Sequence, residues 1–422
     1  MVMKKNVKLL GMVAMFSVTL ASCTNDELKE VYQGEEISFT TRMTRAVETN
    51  SGNLKAFRVY AHAENYGSMF INHEMATKSD GNIFSLVSHT GGSFFWPSKV
   101  NNIEFWAYGP FTSTTSADSV KVDAEITSLS QQLQNFKVTP SMTEGGKGHK
   151  DLIVAYTKAN RNTVSGMTVP LNFKHALSQI EVTAKCPDTE KTIKIKGAWL
   201  MNVKSSGTLA FSQDKEQDAY MDWHLKNETL ANYGVAVDPV TLQNKYTTFI
   251  GGDTDSQDNT SLMLIPQSSN KWDKETNLKG AYILLLCRVE ATHQGKTPEN
   301  GTIDDVISTT DNTHTHQLFP TPPAGTEYNA NQYGYTCVAI APNWEHGKKY
   351  KYNLEFCGAN SGAGVYPPLN VEDTPGLPDK NDNIIPNNEE DKVGLPILDN
   401  PIKFSVDVTP WGNANSSEIP MD

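Results

Sequence analysis

The sequence predicts an all-β protein built as antiparallel sandwiches, and three observations carry that prediction. Apolar residues alternate with polar ones in run after run, which sets one side of each segment on a core and the other in water. Clusters of Gly, Pro, Asn, Asp and Ser separate the runs, as where short strands are joined by turns. Helical periodicity is confined to Ser128–Phe136, where Leu129, Leu133 and Phe136 share a face and predict a short helix in a connection.

Met1–Ser22 carries Lys4, Lys5 and Lys8 ahead of an apolar stretch from Leu9 to Ala21, with no acidic residue. A charged start followed by a short apolar run marks a secretory signal peptide. Its end, Leu20-Ala21-Ser22-Cys23, resembles a lipobox, in which the cysteine is diacylated and becomes the new N-terminus. An ordinary cleavage site beside a chance cysteine fits fewer of the four positions. More than one acyl chain is what a stable membrane hold requires. Thr24-Asn25-Asp26-Glu27 follows, and its acidic pair resembles the surface-export signal of lipoproteins in Gram-negative anaerobes.

Glu36-Ile-Ser-Phe-Thr40 then reads as a short strand with Ile37 and Phe39 on one face, and Glu48–Asn53 as a polar connector. Phe57, Val59, Ala61 and Ala63 form the next alternating run, followed by Ile103, Phe105 and Ala107. Asp151–Tyr156 closes a first series, and the polar stretch Thr157–Gly166 sets a boundary. Val169, Leu171 and Phe173 open a second series, continued by Ile180, Val182 and Ala184, then Ile193 and Ile195. Tyr350, Tyr352, Leu354 and Phe356 come late, and Ile402, Phe404, Val406 and Val408 last, with nothing strand-like expected after Trp411. Between these last two runs, residues 367–401 hold seven Pro, eight acids and two Lys. That stretch reads as an acidic surface excursion, because proline has no donor for a central strand.

Composition excludes several classes. A length of 422 residues suggests two or three domains, and 38 % hydrophobic with 20 % charged residues argues against disorder. A net charge of −12 opposes nucleic-acid binding, which needs a basic face. Past the first segment no apolar run is long enough to cross a bilayer. Cys186, Cys287, Cys337 and Cys357, spaced by 101, 50 and 20, form no zinc-type pairing and allow three disulfide connectivities. Cys287, in the run Tyr282-Ile-Leu-Leu-Leu-Cys287, reads as a buried thiol.

Catalytic signatures fail on spacing. Gly358–Ser361 has its serine one place late for a nucleophile elbow, His73-Glu74 lacks a second histidine, and Gly145-Gly-Lys147 lacks the P-loop's spacing. His314-Thr-His316 is a two-ligand fragment at most, and a solvated loop suits its neighbours better. Asp253-Thr-Asp255-Ser-Gln-Asp258-Asn259 lacks the glycine and closing glutamate of a calcium loop. No cofactor and no metal site are expected. Asp118-Ser119-Val120 resembles a bacterial O-glycosylation sequon, but one such match is expected by chance in this length, so a plain loop serine is the favoured reading.

The chain resembles the fimbrillin family, pilus subunits and related surface proteins of Gram-negative anaerobes. The matching blocks include Leu54–Ala61, Phe94–Pro110, Asp151–Ala155, Val169–Val182, Trp344–Phe356 and Ile402–Trp411, in family order. The resemblance implies two tandem transthyretin-like antiparallel β-sandwich domains. The division expected is a signal peptide over 1–22 and a lipidated tether with a removable strand over 23–45. The N-terminal sandwich would then span 46–166, and the C-terminal one, with its excursion, 167–422. It also implies an outer-membrane lipoprotein held through Cys23 and trimmed at Arg45 or Arg42 by an arginine-specific surface protease. Trimming would remove the strand bearing Ile37 and Phe39. Subunits would then join other pilin subunits by strand exchange, with Ile402, Phe404, Val406 and Val408 as the donor, and the fimbrium would adhere to a host protein or glycan receptor.

Two rival readings stand beside the non-enzymatic pilin. One is a surface lipoprotein that binds glycans through exposed Trp and Tyr without polymerising. The other is a surface hydrolase using paired acids such as Asp304-Asp305, which neighbouring strand positions would point to opposite faces. On the anchoring, Cys23→Ala is expected to leave the protein unlipidated and shed, or stalled before the outer membrane. Metabolic labelling with a fatty acid checks this; label retained on the variant would overturn the lipobox.

Overall fold

The computed structural model describes residues 36–43, 52–88, 91–112, 120–211, 221–252, 259–295, 306–321, 329–379, 383–411 and 417–419. The chain is all-β. Strands β1 (Ser38–Met43), β2 (Ala56–Ala63), β3 (Ile71–Asp80), β4 (Ile83–Val87) and β5 (Asn102–Phe111) come first. The pair β6 (Asp123–Ile126) and β7 (Gln131–Lys137) departs, and β8 (Ile153–Asn160) and β9 (Thr168–His175) return. Seven of these close into a barrel in the order β1-β4-β3-β2-β5-β8-β9. The alternating side chains of β2 and β5 fill it: Phe57, Val59, Ile103 and Phe105 are fully buried around Phe39, with Phe84 and Phe173.

The partner face was expected in water and is not. Tyr60, Trp106 and Tyr108 are buried in a second, central core that also holds Leu133, Phe136 and the strands of the C-terminal half. Those strands begin with β10 (Ser178–Lys185), β11 (Lys191–Lys204), β12 (Ser206–Phe211), β13 (Met221–Leu225) and β14 (Leu230–Thr241). They continue with β15 (Thr247–Ile250), β16 (Leu262–Leu264), β17 (Tyr282–Gln294), β18 (Val306–Ser308), β19 (Thr313–Phe319) and β20 (Tyr333–Ala339). The last are β21 (Lys348–Glu355), β22 (Ile384–Ile385), β23 (Lys403–Pro410) and β24 (Ser417–Ile419). One sheet runs β15-β10-β21-β23-β24, with β16 also on β10; another runs β14-β11-β17-β19-β18, with β20 on β17 and β22 on β20.

Sheet membership crosses the boundary read at 166/167. β9, with Val169, Leu171 and Phe173, completes the N-terminal barrel rather than opening a second sandwich. Conversely, β6 and β7 join β12 and β13 in a four-stranded sheet of order β13-β12-β7-β6. Strand pairing is a long-range choice that local polarity cannot display, so a polar turn marked a boundary that the sheets ignore.

The helix expected over Ser128–Phe136 is instead a hairpin, β6 to β7, turned by the Thr127 hydroxyl, which accepts the Leu129 and Ser130 amides at 3.2 and 3.0 Å. Asn135 takes a left-handed φ of 56°, and the pairing with β12 shifts register there. This bulge puts Leu133 and Phe136, three apart, on one buried face and so imitates a helical spacing. Leu129 is fully out in solvent.

Cys287 lies in β17 and is buried; the apolar run Tyr282–Cys287 has both faces covered, Ile283 and Leu285 by the central core and Leu284 and Leu286 by an outer one. The excursion 367–401 supplies that outer cover, burying Val371, Leu377, Ile384 and Val393 beside Trp199 and Trp272. Its other described acids thus ride on a docked strap with an apolar underside, while Glu372 is buried. No helix among the described residues is long and apolar enough to span a membrane.

His149, ahead of β8, is buried where the two halves meet. Its Nδ1 accepts the Met263 amide at 3.1 Å, and Tyr233 stands edge-on with ring centroids 5.4 Å apart. Burial pushes its pKa down to about 4 from 6.5. Between those values the unfolded chain binds the proton that the folded chain refuses, so stability falls as pH drops through that window. Urea unfolding from pH 7 to pH 4 is expected to lose on the order of 3 kcal/mol from this group, and His149→Gln to flatten that part of the profile.

Candidate functional site

β1 lies between two strands and completes the barrel with its backbone. It runs antiparallel to β4, with Phe39 opposite Phe84, and parallel to β9 in six consecutive pairs from Ser38↔Thr168 to Met43↔Phe173. Ahead of it, the Ile37 amide donates to the Phe94 carbonyl at 2.9 Å, and the Ser93 hydroxyl donates to the Glu36 carboxylate. The hydroxyls of Ser38 and Thr168 share a hydrogen bond of 2.8 Å.

Ile37, Phe39 and Thr41 point inward and are 2 %, 0 % and 4 % exposed. The Phe39 ring meets Phe57 and Phe105 edge-on at 5.9 and 5.7 Å. Each of the two large side chains is worth roughly 1.5–3 kcal/mol of burial. Thr41 is different: its hydroxyl is buried with no hydrogen-bond partner among the described residues, a defect in the middle of the plug. Arg42 is exposed on the strand, but its backbone is in register with Asn172 of β9. Arg45 and Cys23 lie outside the described residues, as do Ser119, Asp253–Asp258, Asp304 and Asp305.

The second predicted element, Ile402–Val408, is β23. It pairs antiparallel with β21 in eight positions, from Lys348↔Pro410 to Glu355↔Lys403, and is flanked on its other edge by β24. Ile402 and Val406 are buried, and Phe404 and Val408 half-buried. Ser361, the serine that stood one place late for a nucleophile elbow, pins the start of β23: its hydroxyl accepts the Lys403 amide at 2.9 Å and donates to the Glu355 carbonyl. At the far end Trp411 stacks on His175 of β9 at 4.5 Å, and His175 is held by Asp151 at 2.9 Å, both buried. The expectation that nothing strand-like follows Trp411 is corrected by β24. Three residues, Ser-Glu-Ile, are too short to show alternation, and they become a strand by borrowing the open edge of β23.

Residues 44–366, well over half of the chain, match a family model described as fimbrillin-like. The chain belongs to the fimbrillin-like family. Over 206 residues this fimbrillin-like protein is 29 % identical to the fimbrium subunit Fim1C of Phocaeicola vulgatus. The alignment covers 43 % of this chain and 52 % of that one, so the chain spans about half the length of the curated relative it matches. The fold is similar to the crystal structure of a fimbrial protein from Bacteroides vulgatus, with a TM-score of 0.50 at 16 % identity over 76 % of this chain and 94 % of that one. A candidate cell-adhesion protein from Bacteroides ovatus aligns more loosely, with a TM-score of 0.40 at 14 % identity over 76 % and 92 % of the two chains.

Other motifs of the fimbrillin-like chain serve the fold. Six of its seven tryptophans are buried, and the half-buried Trp223 donates its indole N–H to the Ala176 carbonyl at 2.9 Å. A tryptophan platform for sugars is therefore absent among the described residues. His314 and His316 meet His293 across the ladder, with ring centroids 5.5 and 4.9 Å from it. Even so, among the described residues no three His, Cys, Asp or Glu side chains are grouped to hold a metal ion. Sequence reasoning found the inward side chains of β1 but missed that both edges of the strand are paired, and it missed the Thr41 defect.

Thr41→Val is expected to stabilise the full chain by about 1 kcal/mol, because it removes an unsatisfied buried hydroxyl at nearly constant shape. Phe39→Ala is expected to cost about 3–5 kcal/mol. Urea unfolding followed by tryptophan fluorescence reads both.

Proposed function

We propose that this protein is an exported lipoprotein subunit of a cell-surface fimbrium, structural and adhesive rather than catalytic, in which β1 is a removable plug. Attached, β1 keeps the barrel closed and the subunit monomeric. Cleavage after Arg45 makes it a peptide held by pairing and side chains alone, and its loss leaves two open strand edges and an apolar groove. A neighbour's strand fills both. Arg45 is the better cut site, because Arg42 sits within the paired ladder that a protease would first have to open.

One observation carries this reading. The plug and the candidate donor spell the same pattern: Ile37-Ser-Phe39-Thr-Thr41-Arg-Met43 against Ile402-Lys-Phe404-Ser-Val406-Asp-Val408. Laid into the groove in the plug's direction, Ile402 and Phe404 repeat Ile37 and Phe39. Val406 falls at Thr41, and there it replaces the unpartnered hydroxyl with a methyl of the same shape. The donor thus suits the groove better than the plug does, which gives exchange its direction. Leaving its own sheet costs β23 its pairing with β21 and β24, and two strand edges are regained against β4 and β9 of the next subunit. The alternative of a glycan-binding lipoprotein that never polymerises rested on exposed Trp and Tyr; the tryptophans are covered, and Tyr246 is the exposed tyrosine among the described residues.

Replacing both Arg42 and Arg45 by Ala is expected to leave a full-length, lipidated monomer absent from filaments. Electron microscopy of cells carrying the double variant reads this, and filaments of normal length would refute trimming as the switch.

A further inference from the structure

Four cysteines beyond Cys23 allow three pairings, and the fold leaves room for one. Cys287 of β17 and Cys337 of β20 stand on neighbouring strands, but Cys287 lies in the central core and Cys337 in the outer one, with the sheet between them. Burial pushes both of these thiols up, away from the reactive thiolate.

Cys186 and Cys357 are placed differently. β10 and β21 run parallel in unbroken register from Gln179↔Lys349 to Lys185↔Glu355, and each cysteine lies just past its strand's end. The ladder extends to that point, the Phe356 amide donating to the Lys185 carbonyl at 2.9 Å. Adjacent strands lie about 4.7–4.9 Å apart, and disulfides form at Cα separations of about 4.4–6.8 Å. Cys186 is buried in the central core and the half-exposed Cys357 packs against that same core, while the Cys186 thiol donates to the Asp188 carbonyl at 3.6 Å.

We propose that Cys186 and Cys357 are a redox pair that closes into a disulfide outside the cytoplasm and clamps β10 to β21. The surface location proposed above, on which this assignment rests, supplies the oxidising compartment. The neighbouring Cys357 thiol holds the Cys186 thiol below its usual range, and the ammonium of Lys191 adds to that. The neighbouring Cys186, then burial, pushes Cys357 up. The Cys186 thiolate attacks one sulfur of an external disulfide, breaking that S–S bond and expelling one thiolate, which takes up a proton. Cys357 then gives its proton to solvent, and its sulfur displaces the second half of the oxidant from Cys186. Two electrons pass from the cysteine pair to the oxidant, which leaves as two thiols.

The clamp has a use in this fold. Glu355, beside Cys357, is paired with Lys403, the first residue of β23. With the disulfide closed, β21 stays bound to β10 when its other neighbour β23 departs, so a departing donor does not unravel the sheet behind it.

The test is a peptide map. The full chain, taken from cells with its free thiols alkylated and digested without reductant, is expected to yield a Cys186–Cys357 linked pair, with Cys287 and Cys337 unlinked. Oxidised glutathione added to the reduced, folded chain should produce the same link, with the loss of two hydrogens and a rise of several degrees in the unfolding midpoint. Cys186→Ser and Cys357→Ser should each abolish that rise; if either fails to fold, the wild-type map decides alone. Both thiols still alkylatable after glutathione, or a mixed disulfide that never closes, would overturn the pair. A link made by glutathione but missing from the cellular protein would overturn the clamp in the cell. None of these readings depends on whether filaments form.

Discussion

The closure of the N-terminal barrel hangs on the backbone of one six-residue strand. β1 satisfies the inner edges of β4 and β9 at once, and without it two rows of amides and carbonyls and the Phe39 slot would all face water. Antiparallel pairing on one edge and parallel pairing on the other give β1 a fixed direction, which in turn fixes which side chains enter the barrel. In the function proposed above, trimming would remove the very piece that closes the fold.

Burial on both faces of the sheets sets the rest of the architecture. The barrel's outer face joins the central core through Tyr60, Trp106 and Tyr108, and that core is also walled by β10, β11 and β17. Charged groups trapped by this arrangement are paired. Glu181 of β10 is buried, takes the Lys349 ammonium at 2.9 Å and accepts the Ser261 hydroxyl. Arg288 of β17, fully buried, bonds Glu290 at 2.6 Å and the carbonyls of Asn329 and Gln332. Such pairs add little net stability over apolar substitutes, but removing one partner would strand a charge in the core.

The stack of Trp411 on His175, with Asp151 behind it, joins the end of β23 to the end of β9. It ties the two elements of the proposed exchange, acceptor barrel and donor strand, within one subunit. Ser361 does the same at the other end of β23 through the Lys403 amide. Release of β23 thus has two identifiable latches besides its ladder: the one at Ser361 is polar, and the other holds Trp411 buried in the central core.

Local alternation determined that the chain is all-β, where β1, β2, β5, β8 to β11, β21 and β23 lie, and that Ile37, Phe39 and the Ile402–Val408 series are apolar on one side. These are period-two properties carried by neighbouring residues, and a reader of the sequence needs nothing else. Which strand lies beside which was decided only in three dimensions. β9 was given to the barrel, β6 and β7 to a remote sheet, the excursion became a strap, and a bulge at Asn135 made a strand look helical. Pairing partners lie more than a hundred residues apart, as Ser38 and Thr168 do, and are selected by the shape of the shared core. The hydroxyl of Thr41 shows the difference at one residue: its place on the inward face is legible in the sequence, but only the packed barrel leaves it without a partner.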